Sequence, residues 1–470
     1  NDIKVDLHDD NIAYVALDNH KFGDYSPYLY KTINGGKKWK PIVNGLPDGT
    51  LVWRLVQDHV NPNLLFLGTE YGVYVSLNQG DKWHKFSNGL PTISIRDLAI
   101  QKRENDLVLA TFGRSFYVLD DYSPLRDMTE DNLNKEAFLF STRKALQYNQ
   151  IMGGSGSSGG STYVAENPKY GATITYHLSE TPHVSLKEKR QKMERKLKDS
   201  DIPFPGWEAL DREISEAKVE AILMITDNNG NLVDQISGPL RKGTHRVTWS
   251  LRTSKSTTVN VAQSSSSRGR WGRRSSGMVS PVDPGLYQVT LYKRVGGDLT
   301  QLSDPVSLEV ERIRENVLTN PSADKHNEYR VELAELTTSI NKSSHVFMKA
   351  MARVTTYERN LNQVKTNKED LTRAVYKLRE KMIALDREFT GSAAKAEIGE
   401  KDRLNLMDRL MKARGGWYPN SYGPTELHMQ SFEIARQMYE RSKPKINKFI
   451  KEVNELGKLL EDAGGPIYLD

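Results

Sequence analysis

Arg54, Arg96 and Arg114 recur through one repetitive part of the chain, and Glu70 and Tyr71 stand side by side among them. Clustered guanidinium groups bind a carboxylate through paired hydrogen bonds. A tyrosine beside a glutamate can supply a nucleophile, and a further carboxylate can act as the acid–base group of glycoside hydrolysis. These residue types allow a glycosidase-like site in which Glu70 and Tyr71 are the candidate catalytic pair.

The same residues also admit a structural interpretation, which we favour over catalysis. Arg54 and Arg96 are expected at equivalent places in successive repeat units, where ion pairs would close an inner ring of strands. As candidate ligand-binding residues we retain these two with Arg114 and Tyr25. The sequence indicates neither metal nor cofactor, because there is no cysteine and the ten histidines show no metal-ligand spacing such as HExxH.

Two octets, TINGGKKW and SLNQGDKW, share the pattern Ser/Thr-x-Asn-x-Gly-x-x-Trp, and their tryptophans lie 44 residues apart. An asparagine between two strands bonds to nearby backbone N–H groups, and the glycine supplies a positive φ. The tryptophan is then expected to pack under the hairpin. The octets are therefore interpreted as structural clasps, and the positions of their shared pattern are Thr32, Asn34, Gly36, Trp39, Ser76, Asn78, Gly80 and Trp83.

Four short strands in each unit, at a period in the forties, are typical of β-propeller blades. Residues 1–127 contain two to three such units, whereas a closed propeller needs at least four blades. We expect the remaining blades upstream on a longer chain, or on a noncovalently retained fragment. The octets would lie on one face of the propeller, and the arginines, Glu70 and Tyr71 on the opposite face, where a propeller usually binds its ligand.

Two further regions complete a multidomain architecture. Residues 128–165 are expected to connect, through the Gly/Ser linker Gly153–Ser161, to an immunoglobulin-like β-sandwich over 166–315. Insertions at Leu186–Asp199 and Ser254–Gly277 interrupt the sandwich. Apolar residues at seven-residue spacing then predict an α-helical hairpin or bundle over 320–470.

The octets resemble the Asp-box, or BNR, repeats of sialidases and sortilin-type propellers, with Asn in the usual Asp position. The stretches LLFLGTEYGVYVSLNQGDKW and NDLVLATFGRSFYVLDDYSPLR are similar to the last blades of a family of large bacterial exported proteins, labelled BNR-repeat glycosyl hydrolases or sortilin-like. The similarity continues through GPLRKGTHRVTWSLR and DPGLYQVTLY to ELGKLLEDAGGPIY. The resemblance implies propeller blades, then a small β-sandwich and a helical tail, in an exported protein.

Composition excludes other classes of function. The net charge is +6, from 66 basic and 60 acidic residues, and the two basic runs are Lys187–Lys198 and Arg268–Arg274. Neither run predicts a folded basic face with stacking aromatic residues, so we expect no nucleic-acid partner. No apolar run approaches the roughly 18 residues of a membrane-spanning helix, so we expect no membrane span.

We expect an extracytoplasmic bacterial protein, in the periplasm, at the outer-membrane surface or secreted. Its expected role is that of a noncatalytic, sortilin-like propeller protein that binds a protein, peptide or glycan within a larger surface assembly. The alternative is a sialidase-like glycoside hydrolase acting at the propeller ligand face. A third possibility is a structural subunit whose arginine-bearing face is covered by another chain.

Overall fold

The computed structural model describes residues 1–148, 165–197, 202–253, 281–313, 323–415 and 423–468. The Gly/Ser linker, the insertion Ser254–Gly277 and the basic run Arg268–Arg274 lie outside these residues. The chain divides into two compact units. Among the described residues, the first contains 1–147, 165–197, 202–253 and 281–313, and the second contains 148, 323–415 and 423–468.

Three antiparallel sheets, named A, B and C, open the first unit. Sheet A contains β1 (Asp2–Val5), β2 (Ala13–Asn19), β3 (Asp24–Thr32) and β4 (Lys40–Pro41). Sheet B contains β5 (Val52–Gln57), β6 (Leu65–Thr69), β7 (Gly72–Ser76) and β8 (His84–Phe86). Sheet C contains β9 (Ile95–Gln101), β10 (Asp106–Thr111) and β11 (Phe116–Leu119). Each sheet is an up-and-down meander, because strands that follow one another in sequence are hydrogen-bonded neighbours.

The octets form the turns that follow β3 and β7. In the first, Thr32 Oγ1 accepts the backbone N–H of residue 36 at 3.0 Å, and Asn34 Oδ1 accepts that of residue 38 at 2.9 Å. In the second, Ser76 Oγ and Asn78 Oδ1 accept the N–H groups of residues 80 and 82, both at 2.9 Å. The glycines at positions 36 and 80 have φ of 85° and 92°. A small set of local hydrogen bonds therefore fixes both turns.

The two tryptophans of the octets differ in burial. Trp83 is 2% exposed, and its indole Nε1 donates to the carbonyl of Ile42, which follows β4 of sheet A, at 2.8 Å. Trp39 is 42% exposed. Burial of Trp83 completes the core between sheets A and B, to which Tyr14 and Leu29 contribute from sheet A. A second core lies between sheets B and C.

Two further sheets and three α-helices lie among the described residues of the first unit. One sheet has three strands, β12 (Ala137–Leu139), β14 (Ala172–Leu178) and β17 (Gly243–Trp249), in that order. The other has six: β13 (Ala145–Gln147), β15 (Val219–Asp227), β16 (Leu232–Gly238), β18 (Gly285–Val295), β19 (Asp298–Gln301) and β20 (Val306–Arg312). The helices are α1 (Glu130–Asn134), α2 (Leu186–Lys196) and α3 (Trp207–Ser215).

The two sheets share one core, which includes Ile174, Tyr176, Leu223 and Leu291. Strand β13 pairs in parallel with β20, and the other strand pairs of these sheets are antiparallel. Residues 128–165, expected as a connection, thus supply β12 to one sheet and β13 to the other. The first unit is therefore mostly β-sheet.

The second unit is helical among its described residues. Its helices are α4 (Ala323–Asn360), α5 (Lys368–Thr390), α6 (Ala393–Glu397), α7 (Leu406–Gly415) and α8 (Glu426–Asp462). Leu333, Ile340, Phe347 and Val354 of α4 follow the seven-residue spacing and are fully buried. They share a core with residues from α5, α7 and α8, because the apolar stripe of each long helix must be covered by another helix.

Candidate functional site

One edge of sheets A, B and C gathers side chains from several strand ends. In sheet B, the register pairs Val52 at the start of β5 with Thr69 at the end of β6. In sheet C, Ile95 at the start of β9 pairs with Thr111 at the end of β10. This pairing brings the residues that follow Val52, Thr69, Ile95 and Thr111 to the same edge, which we call the candidate edge.

Glu70 is the polar centre of the candidate edge. Its carboxylate accepts hydrogen bonds from Trp53 Nε1 and Ser94 Oγ, both at 2.9 Å. The Arg96 guanidinium lies 3.5 Å from the same carboxylate oxygen. Three donors from β5 and from the start of sheet C therefore fix the orientation of this side chain.

Aromatic rings hold the Arg96 guanidinium on the candidate edge. Its central carbon lies 3.9 Å from the centroid of the Trp53 ring and 5.3 Å from that of Phe112. Guanidinium groups bind aromatic faces through cation–π attraction, more strongly when the pair is partly desolvated. The imidazole of His20 contacts the Trp53 ring edge-on at 6.0 Å between centroids, so the loop between β2 and β3 also contributes.

Arg54 forms a second ion-pair group at the candidate edge. Its guanidinium lies 3.0 Å from Asp2 in sheet A and 3.3 Å from Asp97 in sheet C. Asp2, Arg54 and Asp97 occupy equivalent positions in the first strands of sheets A, B and C. They pair with residues 16, 68 and 110 of the second strand of each sheet. Opposite charges therefore alternate across three neighbouring sheets.

The expected equivalence of Arg54 and Arg96 is wrong by one residue. Val52 and Ile95 occupy the same register position, so Arg96 corresponds to Trp53 and Arg54 corresponds to Asp97. Successive side chains of a strand point to opposite faces, and a one-residue shift gives the two arginines different partners.

The remaining predicted residues stay outside the ion pairs. Tyr71 follows Glu70 in the turn before β7 and is half-exposed, as is Tyr25 near the start of β3. Arg114 is exposed in the turn between β10 and β11. Within the described part of the chain, these three side chains make no hydrogen bond or ion pair. The structure thus joins Arg54, Glu70 and Arg96 to carboxylate or aromatic partners and leaves Tyr25, Tyr71 and Arg114 open to solvent.

Sequence reasoning missed most of the partners at the candidate edge. They are Asp2, His20, Trp53, Ser94, Asp97 and Phe112. Trp53 and Asp97 are sequence neighbours of the two selected arginines. A search for aromatic residues next to the selected charges would have found Trp53, whereas His20 and Asp2 need the register of sheet A.

The loop from β2 to β3 brings further charge close to this edge. Burial would raise the pKa of Asp18, but hydrogen bonds from His20 and Asn1 outweigh that effect and lower the pKa. A hydrogen bond from the Tyr28 hydroxyl lowers the pKa of Asp24, and the same contact raises the pKa of Tyr28. Both carboxylates are therefore held in their ionised form.

A second cluster of similar composition lies at the opposite edge of the sheets. Asp58 is fully buried and accepts from Arg126 Nε at 2.7 Å, Arg126 Nη2 at 2.8 Å and the Tyr122 hydroxyl at 2.7 Å. Burial would raise the pKa of Asp58, but the hydrogen bonds from Arg126 and Tyr122 lower it overall. We call this group the Asp58 cluster.

Two properties of the described residues bear on the expected site classes. No helix among them is long and apolar enough to cross a membrane. They also contain no group of three or more histidine, aspartate or glutamate side chains arranged to hold a metal ion.

No protein-family model matches the sequence, and no curated protein matches it. Solved structures do show similarity. A GH74 xyloglucanase from Xanthomonas campestris is 16% identical over 26% of this chain and 22% of its own, with a TM-score of 0.21. An ancestral GH74 enzyme is 13% identical over 65% of this chain and 35% of its own, with a TM-score of 0.22.

The extracellular domain of a one-component system from B. thetaiotaomicron is 11% identical, with a TM-score of 0.20. It matches 66% of this chain and 31% of its own length. The chain thus spans between about a fifth and about a third of these three solved structures. Identities and TM-scores this low assign neither a fold nor an activity to it.

Proposed function

We propose that the chain belongs to an extracytoplasmic, noncatalytic binding protein related to sortilin-like, Asp-box propellers, and that the candidate edge contacts a protein, peptide or glycan. The observation that carries this proposal is the Arg96 guanidinium, which lies over the Trp53 and Phe112 rings and pairs with Glu70. Exposed aromatic faces beside fixed polar groups are what ligand sites commonly present. Tyr71 and Phe112 are exposed aromatic residues of this surface.

The ion pairs support binding over hydrolysis. A substrate carboxylate would compete with Asp2 and Asp97 for Arg54, and with Glu70 for Arg96. Glu70 already accepts hydrogen bonds from Trp53 and Ser94, which leaves less of its carboxylate available for attack or proton transfer. A preformed aromatic and charged surface needs no such rearrangement to hold a ligand.

Sheets A, B and C are, in this proposal, consecutive propeller blades, and a further blade covers the outer face of sheet A. Strand register makes Ile3 of β1 equivalent to Leu55 of β5, yet Ile3 is 73% exposed and Leu55 is 1% exposed. The two tryptophans of the octets differ in the same way, since Trp39 of the first octet is exposed and Trp83 of the second octet is buried. A preceding blade on a longer chain, or on a retained fragment, would offer Trp39 the kind of backbone carbonyl that Ile42 offers Trp83.

The domain proposal extends to the rest of the chain. The two sheets that share the Ile174 and Leu223 core are proposed to form an immunoglobulin-like sandwich over 166–315, and the helices a bundle over 320–470. These parts would brace the propeller or attach it to a larger surface assembly. The Asp-box residues remain structural in this proposal.

Hydrolysis is the second candidate, because Glu70 and Tyr71 share one solvent-open turn and Asp97 lies at the same edge. A sialidase-like enzyme would lose turnover of a fluorogenic glycoside when Glu70 is changed to Gln or Arg54 to Ala. Unchanged turnover in both variants would remove these residues from any catalytic role.

The binding proposal is tested with the full-length protein on a glycan array and against a phage-displayed peptide library. Wild-type protein is expected to select a ligand class, and Tyr71→Ala is expected to lose most of that signal. Tyr376→Ala is the matched control, since Tyr376 is a half-exposed tyrosine on α5. Selection that Tyr71→Ala and Tyr376→Ala retain equally, or the absence of any selected ligand, would contradict the proposal.

A further inference from the structure

Helices α2 and α3 form a hairpin that projects apolar side chains into solvent. Trp207 is 76% exposed and Ile214 is 84% exposed, and these two residues lie seven positions apart on α3. Phe204 packs edge-on against Trp207 at 5.0 Å between ring centroids and is itself exposed. Ile202 before α3 and Met193 of α2 are also exposed. Neighbouring exposed apolar side chains on a soluble protein commonly mark a binding surface.

The hairpin is held in a defined shape. Arg190 of α2 donates through Nε and Nη2 to the Glu213 carboxylate of α3, at 2.6 and 2.9 Å. Glu216, after α3, accepts the backbone N–H of Leu186 at the start of α2. These contacts fix the two helices to each other, so the exposure of Trp207 is a property of the folded protein.

The polar surface of α2 is rich in lysine. The helix has six basic and two acidic residues, and the acidic residues are already paired: Glu194 with Arg190 and Glu188 with Arg241. Lys187 interacts electrostatically with Glu213 of α3. In the described part of the chain, four basic side chains of α2 have no acidic partner: Lys189, Lys192, Arg195 and Lys196.

The acidic residues of α3 are largely neutralised. Glu213 pairs with Arg190, and Glu208 lies 4.0 Å from Arg212. Asp211 alone among them has no basic partner within the described residues. The unpaired charge of the hairpin is therefore mainly positive and lies on α2.

We propose that the α2–α3 hairpin docks the protein onto an anionic lipid surface. The apolar side chains around Trp207 enter the headgroup region, and the lysines of α2 contact lipid phosphates. Tryptophan and phenylalanine beside lysine are the combination found in helices that lie in a membrane interface. A protein partner fits less well, because protein interfaces are depleted of lysine. Long lysine side chains instead extend their ammonium groups to the phosphate level of a bilayer.

This inference rests on different residues from the candidate edge, and either can fail without the other. The test is cosedimentation of the full-length protein with vesicles of phosphatidylcholine mixed with phosphatidylglycerol, compared with vesicles of phosphatidylcholine alone. Wild-type protein is expected to bind the mixed vesicles and to dissociate as salt is raised.

Two variants separate the apolar and the electrostatic contributions. The double variant Trp207→Ala/Ile214→Ala is expected to lower partitioning at least about tenfold, because both side chains would lose their apolar contact. The triple variant Lys189→Gln/Lys192→Gln/Lys196→Gln is expected to lower it at least about tenfold on the mixed vesicles only. All five side chains are exposed, so both variants should keep the thermal unfolding midpoint of the wild type.

Ile398→Ala is the control, since Ile398 is an exposed apolar residue of the second unit, and it should leave partitioning unchanged. A direct readout is the quenching of tryptophan fluorescence by brominated lipid. The difference in quenched fluorescence between the wild type and Trp207→Phe reports insertion of this tryptophan. Absence of wild-type binding to mixed vesicles overturns the proposal. Equal binding by wild type and the Trp207→Ala/Ile214→Ala variant also overturns it, and a protein partner would then explain the exposed face better.

Discussion

The two edges of sheets A, B and C carry the same kinds of side chain in different environments. At one edge, Asp58, Arg126 and Tyr122 form the buried Asp58 cluster, in which the carboxylate has no solvent exposure. At the candidate edge, Glu70 and Arg96 pair beside Trp53 and remain partly open to water. A carboxylate, an arginine and an aromatic ring are common to both.

Residue type alone therefore does not decide between a structural and a functional role, whereas burial and the satisfaction of hydrogen bonds do. A buried, fully paired carboxylate is costly to disturb and has no room for a ligand. An exposed pair contributes little to stability, because water screens it. We therefore expect substitutions at the Asp58 cluster to affect folding, and substitutions at the candidate edge to affect binding.

The largest expected effect on stability follows removal of Arg126. Arg126→Ala leaves the Asp58 carboxylate buried without its cation, and we expect a loss of about 3–5 kcal/mol in the free energy of unfolding. Denaturation by urea, followed by circular dichroism, measures this loss. Arg114→Ala is the control and should change stability by less than about 0.5 kcal/mol, since Arg114 is exposed. A loss below about 1 kcal/mol for Arg126→Ala would contradict the view that the Asp58 cluster stabilises the fold more than the candidate edge does.

The next effect is a pH dependence of stability that comes from Asp58. The folded state lowers the pKa of this carboxyl below its ordinary value of 3.8, so the unfolded state binds its proton first. The stabilisation by Asp58 is present above about pH 4 and is lost as the pH falls through the lowered folded pKa. Asp58→Asn should remove this part of the acid dependence.

Urea denaturation at a series of pH values from neutral to acidic measures that dependence. Phe112→Ala serves as the control at the candidate edge, because it removes no titratable group, and it should keep the acid dependence of the wild type. Identical pH profiles for wild type and Asp58→Asn would show that the Asp58 cluster does not control acid stability.

A smaller effect is expected when Arg96 is changed. Arg96→Ala removes an exposed ion pair and a cation–π contact, so we expect at most about 1 kcal/mol of destabilisation. Thermal unfolding compares this variant with Arg126→Ala. If Arg96→Ala destabilised the protein as much as Arg126→Ala, the candidate edge would be a structural element. Its aromatic residues would then no longer support a ligand-binding role.

The smallest expected effect is the coupling between Arg54 and Asp97. A double-mutant cycle with Arg54→Gln and Asp97→Asn should give about 0.2–1 kcal/mol at low salt. Most of this coupling should disappear at 1 M salt, where the Debye length falls to about 3 Å. A coupling that persists at high salt would indicate that the pair is desolvated in solution.

The sequence predicted the repeated strands and the octet turns because their signals are local. Alternating apolar residues, an asparagine next to a glycine and a seven-residue apolar spacing each depend on a few neighbours along the chain. The apolar stripe of α4 that includes Leu333 and Ile340 is one example, since a stripe of this length must be covered by another element.

The candidate site was only partly predictable, because its contacts depend on register between strands far apart in sequence. Arg54 meets Asp2 across 52 residues, and Glu70 meets Ser94 across 24. Selection by residue type found the arginines and Glu70 but aligned Arg96 with Arg54 instead of with Trp53. A shift of one residue in a strand changes the face and the partners of a side chain, and no local pattern reports it.

A noncatalytic binding site at the candidate edge is tested most directly by measuring ligand binding and ligand turnover together. A ligand selected by wild-type protein on the glycan array or from the peptide library is titrated calorimetrically into wild type and Phe112→Ala. It is then recovered after incubation and examined by mass spectrometry. We predict at least about tenfold weaker binding to Phe112→Ala, because a stacking ring is lost, and a ligand of unchanged mass. Equal affinity for both proteins, or a cleaved ligand, would contradict a noncatalytic binding site at this edge.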